Sequence, residues 1–293
     1  MSAQGTVAAE AAAPKPAYEV SGPSAFTGDF RRFVHLTRIL AVTEWKLRFF
    51  DSALGYVWTL MRPALFFGVL YVVFSLIVDV GQDVAHYPAL LLTGMVLFFF
   101  FQEATSKAVT AVVDNENLVR KIQFPRMAIP MSVVLTATFA LALNLIVLLG
   151  LVLINRVTPR ISWLELPLIL VVLAIFTVGM SAILSALYVR ARDLNPIWDV
   201  TTQALFYLTP VLYPIQLVVQ RSSDTVANLL MLNPLAALIQ EARHAIVGPT
   251  QPSAAAAIGG APRLLIPLGI VLVTFVFGIW LFKRMAPQIA EEL

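Results

Sequence analysis

Six long apolar runs, separated by short polar stretches, dominate the chain. A bilayer core about 30 Å thick is crossed by a helix of about 20 apolar residues, and six segments meet that requirement: Val57 to Val78, Ala89 to Val113, Met127 to Leu153, Leu164 to Tyr188, Ile197 to Val219 and Leu264 to Phe282. The pattern predicts an all-α integral membrane protein with six transmembrane helices. The fifth run differs from the others, because Asp199, Gln203, Pro210 and Pro214 interrupt it. Each proline lacks a backbone donor, so this span is expected to kink or break near its far end. A membrane tolerates such a break only where protein or water satisfies the freed carbonyls.

Two further segments are apolar without being spans. Within residues 26–55, the stretch Phe30 to Phe50 interleaves Phe33, Leu36, Leu40 and Trp45 with Arg31, Arg32, Arg38, Lys46 and Arg48. This predicts an amphipathic interfacial helix whose basic side chains reach headgroups. Glu44 and Arg48 stand four apart, the spacing of a helical ion pair. The segment 220–263, between the fifth and sixth runs, is too apolar for a plain loop. Asn233-Pro234 splits it, and Gln240, Glu241, Arg243 and His244 close its central part. A seventh span would bury those charges, so two short helices dipping into the outer leaflet are expected, followed by an exposed linker from Gln251 to Pro262. Residues 1–25, rich in Ala with Pro14, Pro16 and Pro23, lack the apolar core of a signal peptide and read as a disordered tail. Residues 56–293 then form the six-span domain.

Composition agrees with the membrane reading. The 293 residues are 59% hydrophobic and only 13% charged, with mean hydropathy +0.83, whereas soluble domains are roughly 45–50% apolar and about 25% charged. The net charge of +3 is no sign of nucleic acid, because in a membrane protein the placement of Lys and Arg matters more than their sum. With both termini in the cytoplasm, 15 of the 20 Lys and Arg lie on that side, which follows the positive-inside rule. Cysteine is absent, which excludes disulfides and thiolate chemistry, and the histidines His35, His86 and His244 are scattered rather than clustered.

The first inward loop carries the most distinctive chemistry. Asp114, Glu116, Arg120, Lys121 and Arg126 alternate in charge around Phe124-Pro125. A polar loop presenting one apolar anchor has the composition of a small contact site, and topology alone explains Arg120 and Lys121 but not Phe124. Arg190, Arg192 and Asp193 form a second inward turn, a candidate for a lesser contact.

Four stretches in order resemble the membrane subunits of ABC exporters of the second type, close to those that export lipid-linked cell-surface polysaccharide: LRFFDSALGYVWTLMRPALF (47–66), LVRKIQFPRMAIP (118–130), VRARDLNPIWDVTTQALFYLTPVLYP (189–214) and MLNPLAALIQEARHAIVG (231–248). The resemblance implies a homodimeric permease of the bacterial cytoplasmic membrane. It also implies two cytoplasmic ATPase subunits that supply ATP and Mg and contact the loop residues above, and a path along the dimer axis. The chain itself contains no G-x-x-x-x-G-K-[ST] loop, so energy is expected from a partner and no catalytic, cofactor or metal site is expected here.

Sugars stack on aromatic rings, and a sliding polymer needs many weak contacts. Trp58, Tyr71, Phe98, Phe206, Tyr207 and Tyr213 are therefore candidate lining residues, with the remaining members of the run Phe98 to Phe101 packing or facing lipid. Glu103 and Lys107, one helical turn apart, are a candidate path or gate pair in or near the membrane. A membrane enzyme would need a carboxylate pair at one interface, and the carboxylates here are spread singly over loops. A channel or ion-driven carrier would need pore charges or matched broken helices, and only the fifth run is broken. An exporter of drugs or other small molecules is the alternative within the same family.

Overall fold

The computed structural model describes residues 30–48, 55–78, 84–121 and 125–292, so the tail expected at 1–25 and the anchor Phe124 lie outside the described residues. Among the described residues every regular element is helical, as a backbone in lipid requires, because helices satisfy their own donors and acceptors. Five stretches are long and apolar enough to cross a membrane: Val57–Ile77, Tyr87–Asp114, Ala128–Ile154, Ile161–Tyr188 and Ala261–Ala286. They are built on α2 (Gly55–Val72), which ends in a π-helical turn, α3 (Tyr87–Asp114), α5 (Ala128–Ile154), α6 (Leu166–Tyr188), which follows a 3-10 turn, and α12 (Leu265–Glu292). The short helices are α1 (Phe30–Arg48), α4 (Glu116–Lys121), α7 (Leu194–Leu208), α8 (Ile215–Arg221), α9 (Asp224–Met231), α10 (Pro234–Val247) and α11 (Ala254–Ala257).

The expected fifth span is corrected in one respect: the break that its prolines predict leaves no single helix of membrane length. Ile197 to Val219 is not one helix: α7 has 15 residues and ends at Thr209, whose backbone is extended, and α8 starts only after Pro214. Fifteen residues rise about 22 Å, short of a core of about 30 Å. The cause is the one the sequence suggested, since neither proline can donate to the helical ladder. A second correction concerns Gln251 to Pro262. This stretch is folded: Gln251 is buried, Ser253 caps α11 by accepting from the Ala256 amide at 3.2 Å, and Ile258 packs with Ile215, Ala227, Met231 and Ala236. The chain then turns at Gly259 and Gly260, both with positive φ.

α3 is the hub of the fold. Its neighbours are α5, α6, α7, α10 and α2, and 78% of its apolar window is buried, against none of the window on α2. This is why α3 is apolar all round. Phe98, Phe100 and Phe101 are buried and Phe99 half-buried, so the four rings mainly pack. The amphipathic α1 lies along the first half of α5, with Phe33, Thr37 and Ala41 buried at intervals of four residues. Thr136 on α5 donates to the Ala41 carbonyl (3.3 Å) or to Glu44 (3.2 Å), and Trp45 sets its ring edge-on to Phe139. The Glu44–Arg48 pairing suggested by spacing gives way to tertiary partners, because Arg48 reaches Glu103 on α3 instead.

The closest backbone approach joins α6 to α12. A Cβ on Gly179 would stand 2.6 Å from the Phe275 Cα, and one on Gly278 would overlap the Gly179 carbonyl. Where lipid surrounds both helices, such close packing replaces the hydrophobic effect as the source of association. Gly179→Leu is expected to separate the helices at a cost of about 1–3 kcal/mol or more, seen as a lower thermal midpoint and aggregation of the detergent-solubilised protein. Gly150→Ala, with open space around its Cβ, should leave the midpoint unchanged.

Candidate coupling and transport site

The two polar segments singled out from sequence stand on one apolar platform. α3 ends at Asp114, whose carboxylate accepts from Thr110 at 2.7 Å, and Asn115 closes the helix by donating to the Ala111 carbonyl at 2.8 Å. α4 then carries Glu116, while the side chains of Arg120 and Lys121 fall outside the described ones. Leu118 from α4 and Val189 beside Arg190 both pack on a cluster formed by Ala111, Val112, Met127, Ala182 and Ala186. The first loop and the second turn thus emerge from the same end of the bundle. Asp114, Arg190, Arg192 and Asp193 are exposed there. Pro125 accepts from the Ala128 amide (2.9 Å) as α5 begins. Arg126 differs from the rest: it is 2% exposed and its Nη1 has no hydrogen-bond partner. Burial lowers its pKa below the ordinary arginine value, yet a guanidinium stays charged at neutral pH.

The aromatic candidates divide into two groups. Phe206 on α7 is the centre of one cluster: its ring lies parallel to Phe99 at 6.0 Å, edge-on to Phe98 at 5.1 Å and 6.2 Å from Phe66 of α2. Phe98 itself is fully buried, so in this arrangement its ring is closed off from any surface of the subunit and serves packing. Tyr71 stacks on Phe67 at 5.9 Å. By contrast Tyr207, edge-on to Phe206, is 67% exposed and Trp58 is 57% exposed, which leaves both rings open to a ligand or another subunit. The Tyr213 hydroxyl donates to the Tyr207 carbonyl at 3.2 Å, holding the broken segment against the end of α7. Glu103 is the acceptor for both Lys107 (3.3 Å) and Arg48, so the spacing-based pair exists but belongs to a larger group.

One residue that the sequence does not single out is Arg243 on α10, which is 1% exposed. Its guanidinium donates to Leu90 of α3 (3.0 Å) and to Pro210 (2.6 Å), Val211 (2.6 Å) and Tyr213 (3.3 Å) of the broken segment. The last three carbonyls lie in the break between α7 and α8, outside any helical ladder, and a charged donor with five N–H groups suits several acceptors at once. The Tyr87 hydroxyl adds a bond to the Leu212 carbonyl at 2.8 Å. Gly94 makes the approach possible, because a Cβ there would be 2.9 Å from the Arg243 Nη2. The signal was available in the sequence as a pair of prolines that free carbonyls and an arginine in an apolar stretch on the poorly basic side, but nothing local links them.

Long apolar helices around a buried hub, a proline-broken segment pinned by a buried cation, and polar segments gathered at one end define a helical integral membrane protein. The ABC-2 type transporter family model matches residues 35–247, and the chain belongs to that family. Its relatives include an O-antigen export system permease protein RfbA of Klebsiella pneumoniae, 29% identical over 202 residues (69% of this chain and 76% of the relative). RfbA of Myxococcus xanthus is 29% identical over 202 residues, covering 68% and 75%. The polysialic acid transport protein KpsM of Escherichia coli is 21% identical over 210 residues, covering 71% and 80%. The family is one of membrane permeases without an ATPase domain, and membership implies partnering ATPase subunits.

Replacing Arg243 by Met would strand its carbonyls in an apolar site, and each bond to a charged donor is worth about 1.5–3 kcal/mol. Arg243→Met is expected to abolish the monodisperse peak in detergent size-exclusion chromatography. Tyr87→Phe, losing one neutral bond of about 1 kcal/mol, should only lower the thermal midpoint. A stable, monodisperse Arg243→Met protein would contradict the pinning role.

Proposed function

We propose that this protein is the permease of an ATP-driven exporter that moves lipid-linked cell-surface polysaccharide from the cytoplasmic to the outer face of the bacterial cytoplasmic membrane. The observation that carries this reading is the similarity, over about three quarters of their length, to permeases named for O-antigen export, with a polysialic acid transport protein at lower identity. In this reading two copies form a homodimer bound to two ATPase subunits. The chain crosses six times, α7 and α8 together making the fifth crossing, with both termini inside, α1 at the cytoplasmic interface and α9 to α11 in the outer leaflet. The distribution of Lys and Arg supports that orientation.

Coupling is assigned to Asp114, Glu116, Arg120, Lys121, Phe124, Pro125 and Arg126 of the first inward loop, with Arg190, Arg192 and Asp193 of the second. Movement of the ATPase against these loops would be transmitted through α3, whose far end holds the broken segment through Leu90 and Arg243. The exposed rings of Trp58 and Tyr207, with the Phe206 cluster behind them, suit weak stacking against a sliding sugar chain. Tyr71 and Tyr213 flank the same region as candidate lining residues.

Phe124→Ala is expected to leave insertion intact and weaken ATPase binding by about 2 kcal/mol, or about 30-fold. Co-purification of the ATPase and export of surface polymer should fall together. Full binding with normal export would remove the coupling role. Orientation is checked by single cysteines in this cysteine-free chain: Ser253→Cys should react with an impermeant thiol reagent in intact cells, whereas Gln123→Cys should not.

A further inference from the structure

We propose that Arg48, Arg62 and Lys107, arranged around Glu103, form a binding site for the phosphate or pyrophosphate group of an amphiphilic lipid phosphate, the portion of the exported substrate that joins lipid to polymer. The proposal rests on the reading of the protein as an exporter of lipid-linked polymer and names the part of that substrate which one site recognises.

Two salt bridges place Arg48 and Lys107 on the single carboxylate of Glu103. Register places the third cation. α2 and α3 are consecutive helices joined by a short link, and they run antiparallel, with Phe66 of α2 against Phe99 of α3 at 5.7 Å between ring centroids. Residues four apart share a helix face, so Arg62 and Glu103 each lie one turn from that ring contact on the facing sides, in the same direction. A further turn brings Trp58 level with Lys107. Counted along the helices, Glu103 is about 24 Å from the start of α3 and Arg62 about 22 Å from the end of the α2 span, so the two share a depth, most of the way across a core of about 30 Å.

Charge gives this placement its chemistry. Among the described residues, register adds Arg62 to the two cations that already share the Glu103 carboxylate. Arg62 is exposed and has no ion-pair partner among the described residues. A cation at this depth without an acceptor is costly, and a cluster with surplus positive charge is offset by an anion. Arg62 and Arg48 present planar donor forks, the geometry that suits phosphate oxygens, and Lys107 adds a mobile point charge. The surroundings favour an amphiphile over a free ion. None of the apolar window of α2 is buried, and Leu65 and Val69 at 59% and 61% exposure continue away from Arg62 into the bilayer, an open surface for a hydrocarbon chain. Trp58, on the other side of Arg62, offers an exposed ring to a sugar.

The test uses the whole transporter, this chain with its ATPase subunits, in phosphatidylcholine nanodiscs, with fluorescent geranylgeranyl pyrophosphate as the probe. Arg62→Gln and Lys107→Gln are each expected to weaken binding about tenfold, the loss of one charge-assisted contact. Arg38→Gln, which removes an exposed charge of α1 away from the cluster, should bind as the unaltered protein does. Geranylgeraniol and inorganic pyrophosphate should compete poorly, because each carries half of the recognised chemistry. The site is overturned if the two cluster variants bind normally, if Arg38→Gln loses as much, or if inorganic pyrophosphate competes as well as the lipid. Equal competition by phosphatidylglycerol would assign the cluster to bilayer headgroups and overturn its role in substrate recognition. Polymer export by cells is scored separately. Normal export with unaffected probe binding in the variants removes the site and leaves the function, whereas the expected binding pattern without any polymer export removes the function and leaves a lipid-phosphate site.

Discussion

The hydrogen bonds from Arg243 to the carbonyls of Leu90, Pro210, Val211 and Tyr213 are the constraint on which the rest of the structure depends. A span broken by Pro210 and Pro214 exposes backbone acceptors where no water is at hand, each at a cost of several kcal/mol. One guanidinium from α10 satisfies several of them and also reaches α3, so a single side chain ties the broken segment, the α9 to α11 assembly and the central helix together. The cost of burying an unpaired arginine is offset because every bond it makes is charge-assisted. Gly94 is part of the same device, since any side chain there would occupy the space the guanidinium needs.

With that pin in place, α3 connects the two ends of the molecule. Its first turns meet Arg243 and the broken segment; its last turns lead to Asp114 and α4. Between them Trp198 of α7 donates to Thr105 at 3.1 Å, and Phe101 stacks on Phe176 of α6 at 5.4 Å. A helix buried this extensively transmits displacement as a rigid element, because close-packed interiors have two-sided contacts and little free space. The peripheral helices have the opposite character. α2 buries little of its surface, and α7 turns Ile197, Val200 and Tyr207 outward at 58 to 67% exposure. These are surfaces available to lipid, substrate or a second subunit.

The candidate site was partly legible residue by residue. Glu103 and Lys107 announce themselves by a four-residue spacing within one helix, and they do pair. Arg48 was matched by the same rule to Glu44, and there the rule fails, because α1 docks on α5 and presents Arg48 to α3 while Glu44 is within reach of Thr136. Phe98 was indistinguishable in sequence from its three neighbours. Only the position of α7 decides that its ring is enclosed against Phe206.

By itself the sequence determined the class of the protein, its helical character, the approximate bounds of five spans, and the break at Pro210 and Pro214. These follow from local quantities: hydrophobic length against bilayer thickness, and the missing donor of proline. The order of motifs also carried the family. Tertiary structure alone decided that the broken segment falls short of a continuous span, that Gln251 to Pro262 is folded, that Arg126 and Arg243 are buried, and that Arg48 pairs with Glu103. Each of these depends on which helices become neighbours across long separations in sequence. In lipid, where nearly every span is apolar, that choice rests on a few close glycine contacts and buried polar bonds rather than on a hydrophobic pattern that could be read along the chain.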